Sequence, residues 1–168
     1  QRTLVVDADM RRPRLHEAIG GSQEPGLSNV LVGDTSIEAA IRSTPVPNLF
    51  VLAAGHIPPN PAELLGSKKC LELLAELRSR FDWVLLDAPP VLPVTDAAVI
   101  GHAVGGVLFV IGAEMTPRQS AMIAIDQLQR ANAKMLGVVL NKVNVKRHSY
   151  YYRAYYKKEY AKYHHSAD

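Results

Sequence analysis

Five short apolar runs, separated by stretches with helical periodicity, constrain the fold of this chain more than any other feature. They occupy residues 3–6, 49–52, 83–86, 107–111 and 136–140. Continuous apolar runs rich in Val, Leu and Ile are typical of parallel strands that are buried on both faces. Because strands and helices alternate along the chain, we expect an α/β fold built on a doubly wound, mostly parallel sheet.

The segments between the runs are predicted to carry the helices. Helical spacing of apolar residues is found in residues 15–20, 28–32, 37–42, 61–80, 96–103 and 117–132. Four apolar residues are predicted to form the face of the longest helix that packs on the sheet: Leu64, Leu71, Leu74 and Phe81. Thr116 and Gln119, on either side of Pro117, have the spacing of a capping box, which predicts that Thr116 caps the last helix.

Composition places the chain among soluble domains of reducing compartments. Its 168 residues, 48% of them hydrophobic, suit one globular domain with one core. No run approaches the roughly 20 apolar residues of a membrane span, and the first residues lack the layout of a signal peptide. Cys70 is the one cysteine of the sequence, which excludes an intrachain disulfide and a cysteine-built zinc site.

Charge and tyrosine content divide the chain near residue 145. Residues 142–168 hold seven Lys and Arg against two acids, whereas residues 1–141 hold twelve against fourteen. All seven tyrosines fall within the last 19 residues: Tyr150, Tyr151, Tyr152, Tyr155, Tyr156, Tyr160 and Tyr163. Because this segment is poor in aliphatic residues, we expect a body of residues 1–145 followed by a disordered tail, residues 146–168.

Three functions are open for this basic, tyrosine-rich tail. Its tyrosines and basic residues would stack on single-stranded nucleic acid, or its positive charge would face anionic lipid. Alternatively, the tyrosines are phosphorylation acceptors in an accessible segment, and each phosphate would add about −1.5 to −2 charges. The acceptor interpretation is favoured because the body carries a pattern of aspartates typical of phosphate chemistry, so no nucleic-acid partner is predicted.

These aspartates follow two of the apolar runs. Asp7 ends the first run, Asp9 follows it closely, and Asp87 ends the third. Carboxyl ends of parallel strands face the ligand crevice, where a carboxylate can ligate Mg²⁺ or accept a proton from a nucleophile. The alternative is that the aspartates cap the next turn or helix. Two such sites, with like charges close together, favour magnesium and phosphate chemistry.

Other polar residues near these positions are weaker candidates. Arg11 and Arg12 would either approach phosphate oxygens or a neighbouring subunit, or be surface arginines paired with nearby acids. Asp96 is predicted to cap a helix rather than to bind a ligand, and its position after the second aspartate strand leaves a functional role as the alternative. His56, in a loop, is assigned no role.

Taken together, these segments resemble the bacterial tyrosine kinases of capsule and exopolysaccharide export. Residues 4–13 (LVVDADMRRP) resemble the Walker A′ motif of that family, residues 84–90 (VLLDAPP) resemble its Walker B motif, and residues 58–65 (PPNPAELL) are similar to a common stretch in it. The tyrosine-rich tail resembles the cluster on which these kinases autophosphorylate. The resemblance covers essentially the whole chain and implies a P-loop NTPase-like fold related to MinD and ParA.

The resemblance also implies ATP and Mg²⁺ as cofactors and assigns roles to individual residues. Asp7 would be the general base toward a tyrosine hydroxyl and a magnesium ligand, Asp9 would support the metal, and Asp87 would hold it through water. Arg11 is a further catalytic candidate. The candidate nucleotide contacts are Arg12 and Asn141: an asparagine near Asn141 contacts adenine in related ATPases, with a turn-forming role as the alternative.

One element of that family does not occur in these 168 residues. This is the Gly-x-x-x-x-Gly-Lys-Ser/Thr loop, whose amides and lysine cradle the nucleotide phosphates. We therefore expect the chain to be a fragment that begins after the first strand, this loop and its helix. The neighbouring strands would then have unpaired edges and an exposed apolar face, and the fragment alone would be unstable and inactive.

The activity implied by the resemblance is an ATP-dependent protein-tyrosine kinase that autophosphorylates the tail in trans and regulates polysaccharide synthesis and export. Its expected partners are other copies of itself in a ring, a membrane-spanning polysaccharide co-polymerase portion or activator, and a cognate tyrosine phosphatase. The expected location is the cytoplasmic side of the bacterial inner membrane. Two alternatives stay open: a switch ATPase similar to ParA and MinD, and a non-catalytic scaffold with a docking tail.

Overall fold

The computed structural model describes residues 1–144, so the predicted tail and its seven tyrosines lie outside the described residues. In chain order the elements are β1 (Thr3–Asp7), α1 (Leu15–Ile19), α2 (Leu27–Val32), α3 (Ile37–Ala40), β2 (Arg42–Ser43), β3 (Leu49–Leu52), α4 (Pro61–Leu65), α5 (Lys68–Arg80), β4 (Trp83–Asp87), α6 (Asp96–Gly101), β5 (Val107–Gly112), α7 (Arg118–Arg130) and β6 (Met135–Asn141). All five predicted strands are present, and each predicted helical region holds at least one helix. The short strand β2 was not predicted.

The strands form two sheets in the described part of the chain. The larger has the order β2-β3-β1-β4, and the smaller pairs β5 with β6. β1 is parallel to both β3 and β4, β5 is parallel to β6, and only β2 runs antiparallel to its neighbour. The predicted doubly wound, mostly parallel α/β fold is therefore confirmed, with a break between β4 and β5.

The main core lies around β1, the central strand of the larger sheet. Leu4 and Val6 of β1 and Leu52 of β3 are at most 1% exposed, and they pack with Leu77 of α5. A smaller cluster joins α7 to the second sheet around Leu128. Complete burial of a leucine side chain stabilises a fold by about 1.5–3 kcal/mol, so these contacts fix β1 and the residues that follow it.

The outer strands differ from the prediction that every strand is buried on both faces. Seven apolar side chains of β4, β5 and β6 are more than half exposed: Trp83, Leu85, Leu108, Val110, Leu136, Val138 and Leu140. Within residues 1–144, β4 pairs only with β1 and β5 pairs only with β6. Strands with an unpaired edge and exposed apolar side chains are thus present in both sheets, as expected.

The longest predicted helix is divided in two. α4 ends at Gly66, and α5 begins after Ser67, whose hydroxyl accepts a hydrogen bond from the Cys70 amide at 3.2 Å. The buried face of α5 is formed by Cys70, Leu73, Leu74 and Leu77. Leu71, predicted to lie on this face, is 41% exposed, because it lies about 100° around the helix from the middle of the buried stripe.

The predicted cap at Thr116 is wrong. α7 begins at Arg118, and Pro117 stands at the N-cap position without a side-chain cap. The Thr116 amide instead donates to the Gly112 carbonyl in the turn that follows β5. No helix between residues 1 and 144 combines the length and apolar content needed to cross a membrane.

Candidate functional site

The candidate site lies at the carboxyl ends of β1 and β4. The parallel register pairs Val6 with Leu86 and Asp7 with Asp87. The Ala8 amide then donates to the Asp87 carbonyl at 2.8 Å, so the pairing continues past the last strand residue. The two aspartates predicted from separate segments are thus side by side on adjacent strands.

Asp7 organises the loop that follows it. Its side chain is fully buried, and its Oδ1 accepts a hydrogen bond from the Asp9 amide at 3.1 Å. Its Oδ2 accepts from the amides of Arg14 and Leu15 at 3.2 and 3.0 Å. The capping alternative for this aspartate is therefore realised in the structure, since the carboxylate fixes both ends of residues 8–14.

The charge of Asp7 is nevertheless costly. Burial raises the pKa of Asp7, the neighbouring Asp87 raises it further, and the three backbone amides only partly oppose this. Burial also raises the pKa of Asp87, with a contribution from Asp9. Like charges this close favour protonation, or a cation between them.

Asp9 and Asp87 keep oxygens available for a ligand. Asp9 Oδ1 accepts the amides of Arg11 and Arg12 at 3.1 and 3.0 Å, which shapes a tight turn. Its Oδ2 takes no hydrogen bond from the residues that the structure describes, and neither does the exposed carboxylate of Asp87. These are the carboxylate oxygens that remain open at the strand ends.

The two arginines have different surroundings. Arg11 donates from Nε and Nη2 to the two carboxylate oxygens of Asp96, each at 2.9 Å, which raises the pKa of the guanidinium. Arg11 was predicted either to approach phosphate or a neighbouring subunit, or to be a surface arginine paired with an acid. The structure shows the pairing, but with an acid that is fully buried and not at the surface. Arg12 is exposed.

The predicted capping role of Asp96 is wrong. Thr95 stands at the N-cap of α6, and Asp96 is the first residue of the helix, with its carboxylate on Arg11. The pairing could not be predicted from the sequence because the two residues are 85 positions apart and share no local pattern. The signal available in the sequence was the pair of arginines after the first aspartate strand.

Asn141 lies apart from the aspartates, at the end of β6 in the smaller sheet. Its side-chain Oδ1 accepts the Lys142 amide at 2.8 Å, and Lys142 has φ of 59°. This is the turn geometry that was the alternative to a nucleotide contact. The adenine contact of Asn141 stays a prediction.

A second polar cluster holds the loop after β3 in place. Asn29 Oδ1 accepts the Gly26 amide at 3.0 Å, which turns Asn29 Nδ2 toward His56 Nδ1 at 3.2 Å. The hydroxyl of the buried Ser28 donates to the His56 carbonyl at 2.7 Å. His56 therefore helps to hold this loop in place.

The carboxylates fit magnesium bound together with a nucleotide. No group of three or more His, Cys, Asp or Glu in residues 1–144 is arranged to hold a metal ion. Mg²⁺ at phosphate sites usually takes one or two carboxylates, and waters and phosphate oxygens complete its shell. Asp87, with Asp9 or Asp7, supplies that number, and a cation would offset the repulsion between them.

The chain is similar in sequence to named bacterial kinases. It is 39% identical over 154 residues to the putative tyrosine-protein kinase CapB of Staphylococcus aureus, covering 92% of this chain and 68% of CapB. It is 41% identical over 156 residues to the putative tyrosine-protein kinase EpsB of Ralstonia nicotianae, covering 93% of this chain but 21% of EpsB. The chain thus spans from about a fifth to two thirds of these relatives. No protein-family model matches it.

Solved structures agree with this similarity. The kinase domain of the Escherichia coli tyrosine kinase ETK superposes with a TM-score of 0.82 at 34% identity, covering 85% of this chain and 56% of that one. The septum site-determining protein MinD of Pyrococcus horikoshii, complexed with Mg-ADP, gives a TM-score of 0.69 at 25% identity, covering 85% and 58%. The P-loop NTPase-like fold related to MinD is therefore confirmed.

Proposed function

Because the chain belongs to the family of bacterial tyrosine-protein kinases, we propose that it is part of an ATP-dependent protein-tyrosine kinase that uses Mg²⁺. The observation that carries this proposal is the register of β1 and β4, which places Asp7 beside Asp87 at the carboxyl ends of two parallel strands. Phosphoryl transfer requires mainly positioning and neutralisation of charge, and carboxylates that hold a magnesium ion supply both.

In this proposal Asp7 is the general base toward the tyrosine hydroxyl. Its Oδ1 accepts one backbone amide and keeps acceptor capacity for a phenolic proton. Burial and the charge of Asp87 raise its pKa, which makes its carboxylate a stronger base than a solvated aspartate. Three backbone hydrogen bonds hold that carboxylate still.

The proposed metal ligands are Asp87 with either Asp9 or Asp7, because magnesium at a phosphate site takes one or two carboxylates. Burial and the charge of Asp9 both raise the pKa of Asp87, so a cation near these carboxylates would be favoured. Magnesium, when bound, would neutralise charge on the ATP phosphates and on these carboxylates. Arg12 and Asn141 are the proposed nucleotide contacts, and Arg11 is proposed to act at the same edge.

We propose that the nucleotide site is completed by a strand and phosphate-binding loop from outside these 168 residues, lying between β4 and β5. Both strands have an unpaired edge toward the break, and Leu85 and Leu108 beside it are exposed. A parallel strand inserted there would join the two sheets and bury part of this apolar surface. The 168 residues by themselves are accordingly expected to be inactive.

The proposed acceptors are the seven tyrosines of the tail, residues 146–168, phosphorylated in trans by another copy of the enzyme. Phosphorylation would invert the basic charge of the tail, and this is proposed to release it from a ring of subunits. Polysaccharide synthesis and export at the cytoplasmic side of the bacterial inner membrane is the proposed process. The proposed partners are a membrane-spanning co-polymerase portion or activator and a tyrosine phosphatase.

The test is phosphotyrosine formation by the full-length protein in the presence of Mg-ATP. Asp87→Asn should abolish the signal, because it removes a proposed metal ligand whose side chain makes no hydrogen bond within residues 1–144. Asp126→Asn, at an exposed position of α7, is the matched control and should keep the signal. Retained phosphotyrosine in Asp87→Asn would contradict the assigned role.

The second candidate is a switch ATPase, favoured by the similarity to MinD. In that case the wild-type full-length protein would hydrolyse ATP without forming phosphotyrosine. Replacing all seven tail tyrosines by phenylalanine separates the two functions, because it would remove the phosphotyrosine of a self-phosphorylating kinase and leave a switch ATPase unchanged. A non-catalytic scaffold would neither hydrolyse ATP nor form phosphotyrosine.

A further inference from the structure

Asp96 is a buried carboxylate for which the proposed reaction has no use. Its side chain is fully buried, whereas that of its partner Arg11 is 40% exposed. The guanidinium meets it with two parallel hydrogen bonds of 2.9 Å, from Nε and from Nη2. Burying an aspartate is costly unless its charge is paired and hydrogen-bonded in this way, so the position of Arg11 is tightly specified.

The pair connects the two loops that leave the aspartate strands. Arg11 lies in residues 8–14, between β1 and α1, and Asp96 begins α6 after residues 88–95, which follow β4. The last contact between the strands themselves is the bond from the Ala8 amide to the Asp87 carbonyl. Past that bond, the ion pair between Arg11 and Asp96 joins the two loops, which are far apart in the sequence.

Arg11 is also joined to Asp9 through its backbone. The Arg11 amide donates to Asp9 Oδ1 at 3.1 Å, and the Arg12 amide donates to the same oxygen. Because Asp96 holds the Arg11 side chain, it also holds the turn whose amides bind Asp9 Oδ1. The other oxygen of Asp9, Oδ2, stays open. The Asp9 amide is bonded to Oδ1 of Asp7, which is the direct neighbour of Asp87 in the strand register, so the same turn places Asp9 near Asp87.

We propose that Asp96 is a positioning residue, which acts through Arg11 to hold the Asp9 carboxylate beside Asp87 for a shared divalent cation. This inference rests on the proposed function, since it concerns the magnesium ligands named there. Groups that hold metal ligands in place commonly contribute about 10-fold to 100-fold to metal affinity. Lysine at position 11 would keep the charge but lose the planar fork that makes two parallel bonds.

The test is binding of Mn²⁺, as a spectroscopic substitute for Mg²⁺, to the full-length protein, followed by electron paramagnetic resonance. The relevant site is the one that Asp87→Asn removes. Asp96→Asn and Arg11→Lys should each weaken Mn²⁺ binding at that site by about 10-fold or more. Arg11→Lys changes a partly exposed side chain, so it tests the same link without removing the buried carboxylate.

The double variant and a matched control make the test specific. If Asp96 acts through Arg11, the double variant that combines Asp96→Asn and Arg11→Lys should have an Mn²⁺ affinity no lower than that of the single variant with the lower affinity. Asp126→Asn breaks the exposed pair of Asp126 with Arg130, whose bond is also 2.9 Å long, and should leave Mn²⁺ binding unchanged.

Two results would overturn the inference while leaving the proposed function intact. The first is wild-type Mn²⁺ affinity in both single variants, and the second is a double variant whose loss is the product of the single losses. Failure of the wild-type protein to bind Mn²⁺ at a site sensitive to Asp87→Asn would instead reject the magnesium role in the proposed function, and this inference with it.

Discussion

Replacing Asp7 by asparagine separates its structural role from its proposed chemical role. The Asp7 carboxylate accepts three backbone amides, from Asp9, Arg14 and Leu15. Asparagine has the same shape but one acceptor oxygen and one amide group, which donates. If the oxygen takes the position of Oδ2, it keeps two of the three bonds, and the new amide group faces the Asp9 amide.

The expected cost follows from these contacts. A buried donor left without an acceptor costs about 1–3 kcal/mol, and the two remaining bonds lose the assistance of a charge. Asparagine is uncharged, so the substitution also removes the cost of burying a charge and the repulsion from Asp87, the two effects that raise the pKa of Asp7. This gain changes the free energy of unfolding of the whole domain and would mask the lost bonds in a denaturation experiment. Hydrogen exchange in residues 8–15 reports the loss of these bonds locally.

The measurement is amide hydrogen exchange of the full-length protein, followed by mass spectrometry of peptides that cover residues 8–15. A local cost of about 1–3 kcal/mol corresponds to exchange about 5-fold to 150-fold faster in Asp7→Asn. Asp87→Asn is the control, because the Asp87 side chain accepts no hydrogen bond within residues 1–144, and the loop should exchange at the wild-type rate. Wild-type exchange in Asp7→Asn would refute the organising role of this carboxylate.

Two further substitutions test the packing of the loop after β3 and of helix α5, each by urea denaturation of the full-length protein. Gly26→Ala should destabilise the protein by about 3 kcal/mol, because its Cβ would lie 2.2 Å from a backbone nitrogen. The control is Gly105→Ala, which has open space around it and should change the stability by less than about 0.5 kcal/mol. Equal effects of the two substitutions would contradict the close approach at Gly26. Leu77→Ala should cost about 2–5 kcal/mol and the exposed Leu71→Ala under about 1 kcal/mol, and the reverse order would show that α5 buries the face predicted from sequence.

The parts of the site that could be predicted are those set by local pattern. A continuous apolar run predicts a strand, and an aspartate directly after it must lie at the carboxyl end of that strand. Since parallel strands place these ends at one edge, the proximity of Asp7 and Asp87 followed from two separate segments. The register found between β1 and β4 makes them direct neighbours.

The phase of a helix and the start of a helix were harder to predict. Leu71 shares helical spacing with Leu74, yet it is exposed, because α5 buries the stripe from Cys70 to Leu77 instead. Thr116 has the sequence of a cap, but its amide closes the turn after β5 instead. In the first case tertiary packing, and in the second a hydrogen bond of the neighbouring turn, outweighed a weak local preference.

The sequence alone therefore determined the type and order of the elements, the edge at which the aspartates lie, and the family to which the chain is similar. The tertiary structure decided which side chains hold that edge together: the three amides on Asp7, the turn at Asp9 and the ion pair between Arg11 and Asp96. Hydrophobic period and capping act over a few residues and leave their trace in the sequence. A contact between residues 85 positions apart forms only when the whole chain packs, because burial of Asp96 then requires a partner that no local pattern specifies.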